Sequence, residues 1–335
     1  AMCIWKALLS EYWMGSFTEP DKNIVIYVNF MLCNRSQRQK GDTQMLQGSI
    51  VALITPFKED GSIDYNRLGD LVDWHVDQKT DGILVLGTTA ETPTLTADEE
   101  EEILRVVLDR AKGRVPVIAG SGSNNTQKSI EKSLKYEKMG ADALLVISPY
   151  YNKTSKSGLV KHFIQIADSV ETSILIYNIP GRTGINIPYE VMEEISRHKN
   201  IVGVKEASGD MALASRFAKL IGDGFNMYSG NDDINVPILS VGGMGVISVL
   251  ANILPRQTHE MVRAYLDGDV RKARDMQIKY LDFINALFIE TNPIPIKEAM
   301  NMAGLNVGGY RMPLCPMADN TKAVLRTEME KLALF

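Results

Sequence analysis

Chemically active side chains stand at the ends of several short apolar runs in this sequence. They comprise hydroxyl groups, one arginine and one lysine: Thr88, Thr89, Tyr150, Tyr151, Tyr177, Arg182, Lys205 and Ser229. Lys205 is the most unusual, because residues 201–204 before it have the apolar character of a buried strand. Lysine is almost never fully buried without a partner. A lone lysine at a strand end is usually a solvated rim residue, but the convergence of these groups favours a functional amine.

The chemistry that suits Lys205 is attack by its amine on a carbonyl group. The pKa of lysine is about 10.4 in water, so almost all of it is protonated at pH 7. Burial disfavours the ammonium form and lowers the pKa, and only the free amine attacks. Glu206 would oppose this shift if it lay beside the amine, but successive side chains of a strand point to opposite faces. Tyrosine and threonine hydroxyls can then transfer protons without carrying charge.

The elements that must position these groups are eight β-branched, apolar runs that alternate with longer segments of helical period. The runs begin at Ser49, Gly82, Pro116, Ala143, Ser173, Ile201, Phe225 and Gly245. Two of the helical segments are Ala97–Lys112, which has a Thr96/Glu99 capping box, and Thr126–Met139. The alternation predicts an α/β fold, a closed (β/α)8 TIM barrel with a C-terminal helical extension. Active sites of such barrels lie at the C-terminal ends of the strands.

The pattern divides the chain into three parts. Residues 1–45 keep no clear apolar period, and we interpret them as an N-terminal leader that is either non-native or poorly ordered. Residues 46–267 form the predicted catalytic barrel. Residues 268–335 form the predicted C-terminal helical region, about three helices with breaks near Gly268, Asn292-Pro293 and Pro313–Pro316.

Composition and charge argue against several classes of function. The formal net charge is -5 and no basic cluster is interleaved with aromatic residues, so no nucleic acid partner is expected. The four histidines lack metal-ligand spacing, and no metal is expected. The three cysteines form no CxxC pair, which is typical of a reducing cytosol. No apolar run approaches the roughly 20 residues that span a bilayer, so we expect a cytoplasmic protein without a membrane partner.

Seven stretches beyond Leu46 carry a further signal. They are "GTTAETPTL", "PYYNK", "YNIPGRTG", "GVKEASG", "YSGND", "GGMGVISVLAN" and "ETNPIPIK". They span nearly the whole predicted barrel, and through them the chain resembles the 4-hydroxy-tetrahydrodipicolinate synthase (dihydrodipicolinate synthase) family. That family belongs to the pyruvate-dependent class I aldolase superfamily, together with N-acetylneuraminate lyase. One departure is Ala90, where the family usually has glycine.

The resemblance implies roles for four catalytic residues. Lys205 matches the lysine that forms a Schiff base with pyruvate. Tyr177, Thr88 and Tyr151 match the family's proton-relay triad. Tyr151 would be supplied by the neighbouring subunit, so the resemblance implies that the site needs at least a dimer.

The resemblance also implies the substrate-binding residues. Thr88 and Thr89 match the positions that hold the pyruvate carboxylate. Arg182 matches the guanidinium that receives the carboxylate of the second substrate, and its forked donors suit that task. Gly230 and Ile247 match residues whose backbones line the site near the lysine.

The implied reaction condenses pyruvate with L-aspartate 4-semialdehyde through a lysine Schiff base, giving 4-hydroxy-tetrahydrodipicolinate in lysine and diaminopimelate biosynthesis. The protonated imine serves as the electron sink, so neither a metal nor an organic cofactor is expected. The implied partners are the two small substrates and further copies of the chain, as a homodimer or homotetramer.

Two other functions remain open from the sequence. One is a sister activity, N-acetylneuraminate lyase or a 2-keto-3-deoxy sugar acid aldolase. Those sugar-cleaving relatives usually lack the arginine of "GRTG", which is present here as Arg182. The other is a catalytically silent barrel that only binds or scaffolds. The complete set of Lys205, Tyr177, Thr88 and Tyr151 argues against it.

The resemblance bears on feedback inhibition by lysine as well. Lysine-inhibited relatives use a tyrosine and an asparagine, which Tyr150 and Asn124 match here. They also use a glutamate where this chain has Lys128, and histidines where it has Ala97 and Glu100. Because Lys128 would repel the ammonium groups of lysine, we expect an enzyme that lysine does not inhibit.

Overall fold

Eight parallel strands form a closed barrel in the part of the chain that the computed structural model describes, residues 46–222 and 224–335. The strands are β1 (Gly48–Ala52), β2 (Gly82–Val85), β3 (Val117–Gly120), β4 (Ala143–Ile147), β5 (Ser173–Asn178), β6 (Ile201–Glu206), β7 (Asn226–Ser229) and β8 (Gly245–Ser248). Each pairs with its neighbours in chain order, and β8 pairs with β1. The predicted TIM barrel and its eight strands are therefore confirmed. The predicted leader, residues 1–45, lies outside the described residues.

Helices connect the strands and continue beyond the barrel. Among the described residues, nine α-helices precede Asp267: α1 (Tyr65–Asp77), α2 (Ala97–Ala111), α3 (Thr126–Met139), α4 (Lys156–Ser169), α5 (Pro180–Thr183), α6 (Tyr189–Ile195), α7 (Met211–Phe217), α8 (Asn235–Ser240) and α9 (Pro255–Leu266). Three follow: α10 (Val270–Ala286), α11 (Ile294–Met302) and α12 (Asp319–Lys331). No helix within the described ranges is long and apolar enough to cross a membrane.

Polar side chains cap the first turn of several long helices, among them α2 and α3. The α2 helix starts with the predicted capping box, in which Glu99 N donates to Thr96 Oγ1 at 3.3 Å and Thr96 N donates to Glu99 Oε2 at 2.9 Å. Asn125 caps α3 by accepting from Lys128 N. These bonds satisfy amide groups that have no partner inside the helix. Both helices begin at the residues that the sequence predicts.

The strands are buried on both faces, which explains their nearly continuous apolar sequences. One set of side chains fills the barrel interior, among them Ile50, Leu175 and Ile247. The alternate set, including Val51 and Val204, packs outward against the surrounding helices. Because the two sets alternate along every strand, the direction of each side chain at a strand end follows from its place in the strand.

The C-terminal region is tied back to the barrel by charged side chains. The Arg311 guanidinium donates to the carbonyl oxygens of Gly61 and Thr94 and to both carboxylate oxygens of Glu99. This pairing, strengthened by the bond from Thr96, lowers the pKa of Glu99 to about 2. The carboxylate that completes the α2 capping box therefore also anchors residues that follow the barrel.

The capping box gives a stability prediction. Thr96→Ala removes the hydroxyl that accepts from Glu99 N, and we expect a loss of about 1 kcal/mol in the free energy of unfolding. The matched control is Thr327→Ala, whose hydroxyl lies on an exposed residue and donates to Ala323 O within its own helix. That variant should stay within about 0.5 kcal/mol of wild type. Equal losses in the two variants, measured by urea unfolding, would contradict the capping role.

Candidate active site

Side chains near the C-terminal ends of β5, β6 and β7 meet inside the barrel. Tyr177 pairs in register with Lys205, and Lys205 pairs with Tyr228. The two tyrosines belong to the apolar layer that fills the barrel interior. The Nζ atom of Lys205 lies 4.4 Å from the centroid of the Tyr177 ring. The structure therefore brings together the predicted amine and the predicted tyrosine.

Burial controls the charge of Lys205, which is only 5% exposed. Desolvation is the main cause that lowers the pKa of its amine to about 7, and the positive charge of Arg182 acts in the same direction. The Asp232 carboxylate acts in the opposite direction and favours the ammonium form. With a pKa near 7, a large fraction of the amine is neutral and nucleophilic at physiological pH.

Glu206 points to the opposite face of β6, as strand alternation predicts. Its Oε2 accepts from Asn178 Nδ2 at 2.8 Å and its Oε1 accepts from Ser208 N at 2.7 Å. Burial raises the pKa of Glu206 while these bonds oppose the shift. The carboxylate next to Lys205 in sequence is thus engaged elsewhere and does not pair with the amine.

Tyr177 and Thr88 form the second part of the site. Burial raises the pKa of the Tyr177 hydroxyl to about 12, so it stays protonated at neutral pH. The Thr88 side chain is hydrogen-bonded to it. Thr88 belongs to a one-turn 3-10 helix, Thr88–Ala90, that follows β2. Two neutral hydroxyls in contact can pass a proton between them without creating a buried charge.

Asn292 joins two predicted binding residues. Its Nδ2 donates to Thr89 Oγ1 at 3.1 Å, and its backbone oxygen accepts from Arg182 Nη2 at 2.8 Å. Among the described residues, no donor reaches its Oδ1, although the side chain is buried. A buried acceptor without a partner is costly, and in a cleft it indicates a place for a ligand donor. Asn292 lies in the stretch "ETNPIPIK", but its sequence context does not indicate this role.

An open cleft of about 590 Å³ lies above these groups. Thr88, Tyr177, Arg182 and Asn292 all line it. Tyr151 does not line the cleft. It is 95% exposed, and its backbone has a φ of +61°. Within one chain, the structure therefore does not bring Tyr151 to the other predicted catalytic residues.

Gly230 and Ile247 complete the predicted set. Gly230 N donates to Glu206 O at 2.7 Å, and a Cβ at Gly230 would lie 3.0 Å from Lys205 Cε and 2.7 Å from Ala207 Cβ. Only glycine leaves room for the lysine stem here. Ile247 is buried in the barrel interior on β8.

Asp232 is a further residue that the sequence analysis missed. It is buried, and its Oδ2 accepts from the backbone N–H groups of Val249 and Leu250 at 2.8 and 2.9 Å. Its negative charge is the main influence that opposes the lowered pKa of Lys205. It lies within the quoted stretch "YSGND", but nothing in the sequence shows that it approaches the amine. Within residues 46–222 and 224–335, no group of three or more His, Cys, Asp or Glu side chains could hold a metal ion.

Comparisons with known proteins show the family of the chain. A profile of the dihydrodipicolinate synthetase family matches residues 45–332. The chain belongs to this family.

Two relatives named 4-hydroxy-tetrahydrodipicolinate synthase illustrate the similarity. The chain is 53% identical to the one from Caldicellulosiruptor saccharolyticus, over 84% of this chain and 95% of the relative. It is 50% identical to the one from Thermoanaerobacter pseudethanolicus, over 87% and 98%. A solved dihydrodipicolinate synthase from Cyanidioschyzon merolae, with lysine bound, superposes with a TM-score of 0.84 at 38% identity, covering 87% of this chain and 99% of that one. The family predicted from the sequence motifs is confirmed.

Proposed function

We propose that this protein condenses pyruvate with L-aspartate 4-semialdehyde to give 4-hydroxy-tetrahydrodipicolinate, in lysine and diaminopimelate biosynthesis. The observation that carries the proposal is the buried Lys205 amine, held beside Tyr177, which lines the same cleft as Arg182. The relatives compared above, with their printed synthase names, favour this reaction over sugar acid cleavage. The proposed enzyme is a Schiff-base-forming lyase of the class I aldolase type.

Lys205 begins the reaction in this proposal. Its neutral amine attacks the ketone carbon of pyruvate, and loss of water gives a protonated imine. Tyr177 and Thr88 move the protons of these steps, because their hydroxyls are in contact at the cleft. Loss of a proton from the pyruvate methyl group then gives an enamine, with the imine nitrogen as the electron sink. No step requires a metal or an organic cofactor.

The remaining residues bind the two carboxylates. Thr88 and Thr89 hold the carboxylate of pyruvate, and Arg182 receives that of aspartate semialdehyde through its planar donor set. The unpaired Oδ1 of Asn292 is suited to accept from the ammonium group of the same substrate. Gly230 and Ile247 line the site beside the lysine. The enamine carbon attacks the aldehyde, and the substrate amine then closes the ring and displaces Lys205.

The site is completed by a second copy of the chain in this proposal. Tyr151 is almost fully exposed, yet its backbone lies in the left-handed region that disfavours residues with a Cβ. Such strain persists where the surroundings hold it and is common at functional sites. We propose that Tyr151 enters the partner's site as the third member of the proton relay, and that the enzyme is a homodimer or homotetramer of the cytoplasm.

The reaction is tested with both candidate substrate classes. Wild-type protein should form product from pyruvate and aspartate semialdehyde and should not cleave N-acetylneuraminate. Borohydride added with pyruvate should attach one reduced pyruvate at Lys205, as located by peptide mass mapping. Lys205→Ala should lose both properties, with a fall in kcat of at least about a thousandfold. The control is Lys199→Ala, an exposed lysine just before the opposite end of β6. Labelling that survives Lys205→Ala would refute the mechanism.

Subunit complementation tests the position of Tyr151. Tyr151→Phe and Lys205→Ala should each be inactive alone, and a mixed dimer should hold one intact site. Random pairing of equal amounts should restore up to about a quarter of wild-type activity. The control is a mixture of two Lys205→Ala preparations, which should stay inactive. If the subunits exchange, as shown by mass-tagged chains, and no activity returns, the shared site is wrong.

Lysine inhibition should be absent at millimolar concentration. Lys128 lines the cleft together with Asn124 and Tyr150, so its positive charge would face a bound lysine. Glu100 does not offset this charge, because its Oε1 accepts from Lys132 Nζ and its Oε2 accepts from Tyr136 OH, each at 2.7 Å. The measurement is an inhibition curve at fixed substrate concentrations. A sub-millimolar midpoint would contradict the expectation.

A further inference from the structure

A strained residue directly follows the turn Thr88–Ala90. This residue is Glu91, whose backbone has φ 57° and ψ 32°, in the left-handed region. A residue with a Cβ is disfavoured there and keeps this conformation only where its surroundings hold it. Glu91 N donates to Thr88 O at 3.1 Å, so the position of Glu91 is coupled directly to that of the turn.

Both carboxylate oxygens of Glu91 are held by residues beyond the barrel. Lys297 Nζ on α11 donates to Glu91 Oε1 at 2.8 Å. The Arg311 backbone N–H donates to Glu91 Oε2 at 3.1 Å. Neither the Lys297 nor the Glu91 side chain has any exposed surface. Helix α11 thus reaches the turn through one buried ion pair.

A fully buried ion pair is a costly way to stabilise a fold. Both charges lose their hydration, and well-packed apolar side chains in their place are often as good or better. What the ion pair adds is a fixed position and orientation for the two side chains. The Lys297 ammonium also donates to Thr55 O at 3.0 Å and lies 4.3 Å from the centroid of the Phe57 ring. These contacts confine its position and, through the ion pair, that of Glu91.

The chain just before α11 contacts the same turn. Asn292 donates to Thr89 Oγ1, as described above. Thr55 Oγ1 donates to Ala90 O at 2.8 Å between these two attachments. Thr89, Ala90 and Glu91 are therefore each bonded to residues outside the turn, and three of the four bonds come from the C-terminal region.

We propose that the buried Lys297–Glu91 pair positions the Thr88–Ala90 turn, so that the Thr88 and Thr89 hydroxyls meet the carboxylate of pyruvate and the Tyr177 hydroxyl. The inference rests on the function proposed above. Glu91 lies in the wall of the cleft, but neither its side chain nor that of Lys297 has exposed surface with which to touch a substrate. Both members are therefore positioning residues that act through the turn.

The neutral double variant Glu91→Gln/Lys297→Met tests this role. It removes both charges at similar volume, whereas a single substitution would leave one buried charge unpaired and risk the fold. We expect a folded protein whose melting temperature is close to wild type. The pyruvate concentration for half-maximal borohydride trapping at Lys205 should rise about tenfold to a hundredfold, with a parallel fall in kcat, because a small displacement of positioning groups has large effects. Amide exchange in residues 86–95 should become faster.

The matched control is Lys322→Met. It removes the ion pair between Lys322 and Glu298, which joins α12 to α11 without contacting the turn. Its pyruvate dependence and its exchange at residues 86–95 should stay as in wild type.

Three results would overturn the inference. They are a double variant with wild-type pyruvate dependence and exchange, an equal change in Lys322→Met, and a double variant that does not fold, because the pair would then serve stability. Failure of the proposed function looks different, since wild-type protein itself would then either trap no pyruvate or trap it without forming product from aspartate semialdehyde. The exchange measurement would still decide whether the pair fixes the turn.

Discussion

Burial of the Lys205 amine inside a closed barrel is the constraint on which the rest of the site depends. An ammonium group at this depth loses most of its hydration, and the loss brings its pKa to about 7. Every neighbouring charge must therefore be placed so that it does not restore the ammonium form. Arg182 assists the shift and Asp232 opposes it, while Glu206 is turned away and bonded to Asn178 and Ser208.

The proton-transfer groups do not favour the ammonium form of Lys205, because they are neutral. Tyr177 and Thr88 are in contact beside the amine, and the raised pKa of Tyr177 keeps its proton in place until it is needed. Charged binding groups are kept at the edge of the cleft, where Arg182 is fixed by the backbone oxygen of Asn292. Asn292 comes from the region after the barrel, so the wall of the site includes more than the strand ends.

Much of this arrangement could be predicted from local sequence. Strand alternation predicts opposite directions for Lys205 and Glu206, and capping residues predict where α2 and α3 begin. The contacts of Asn292 with Thr89 and of Lys297 with Glu91 join residues 203 and 206 positions apart. No periodicity or spacing encodes such pairs, because they depend on how the C-terminal helices pack on the barrel. Asp232 illustrates the same limit, since only the closed barrel brings it near the amine.

The most direct test of the account is the pH dependence of imine formation between Lys205 and pyruvate, followed by rapid borohydride trapping. The reactive form is the free amine, which predominates above its pKa. The rate should therefore rise with pH through about 7 and level off by about pH 8, where the free amine predominates. Tyr177 should introduce no loss in this range, since its pKa is raised to about 12. A rate that continues to climb towards pH 10, as for an exposed lysine, would contradict the central claim that burial supplies the nucleophile.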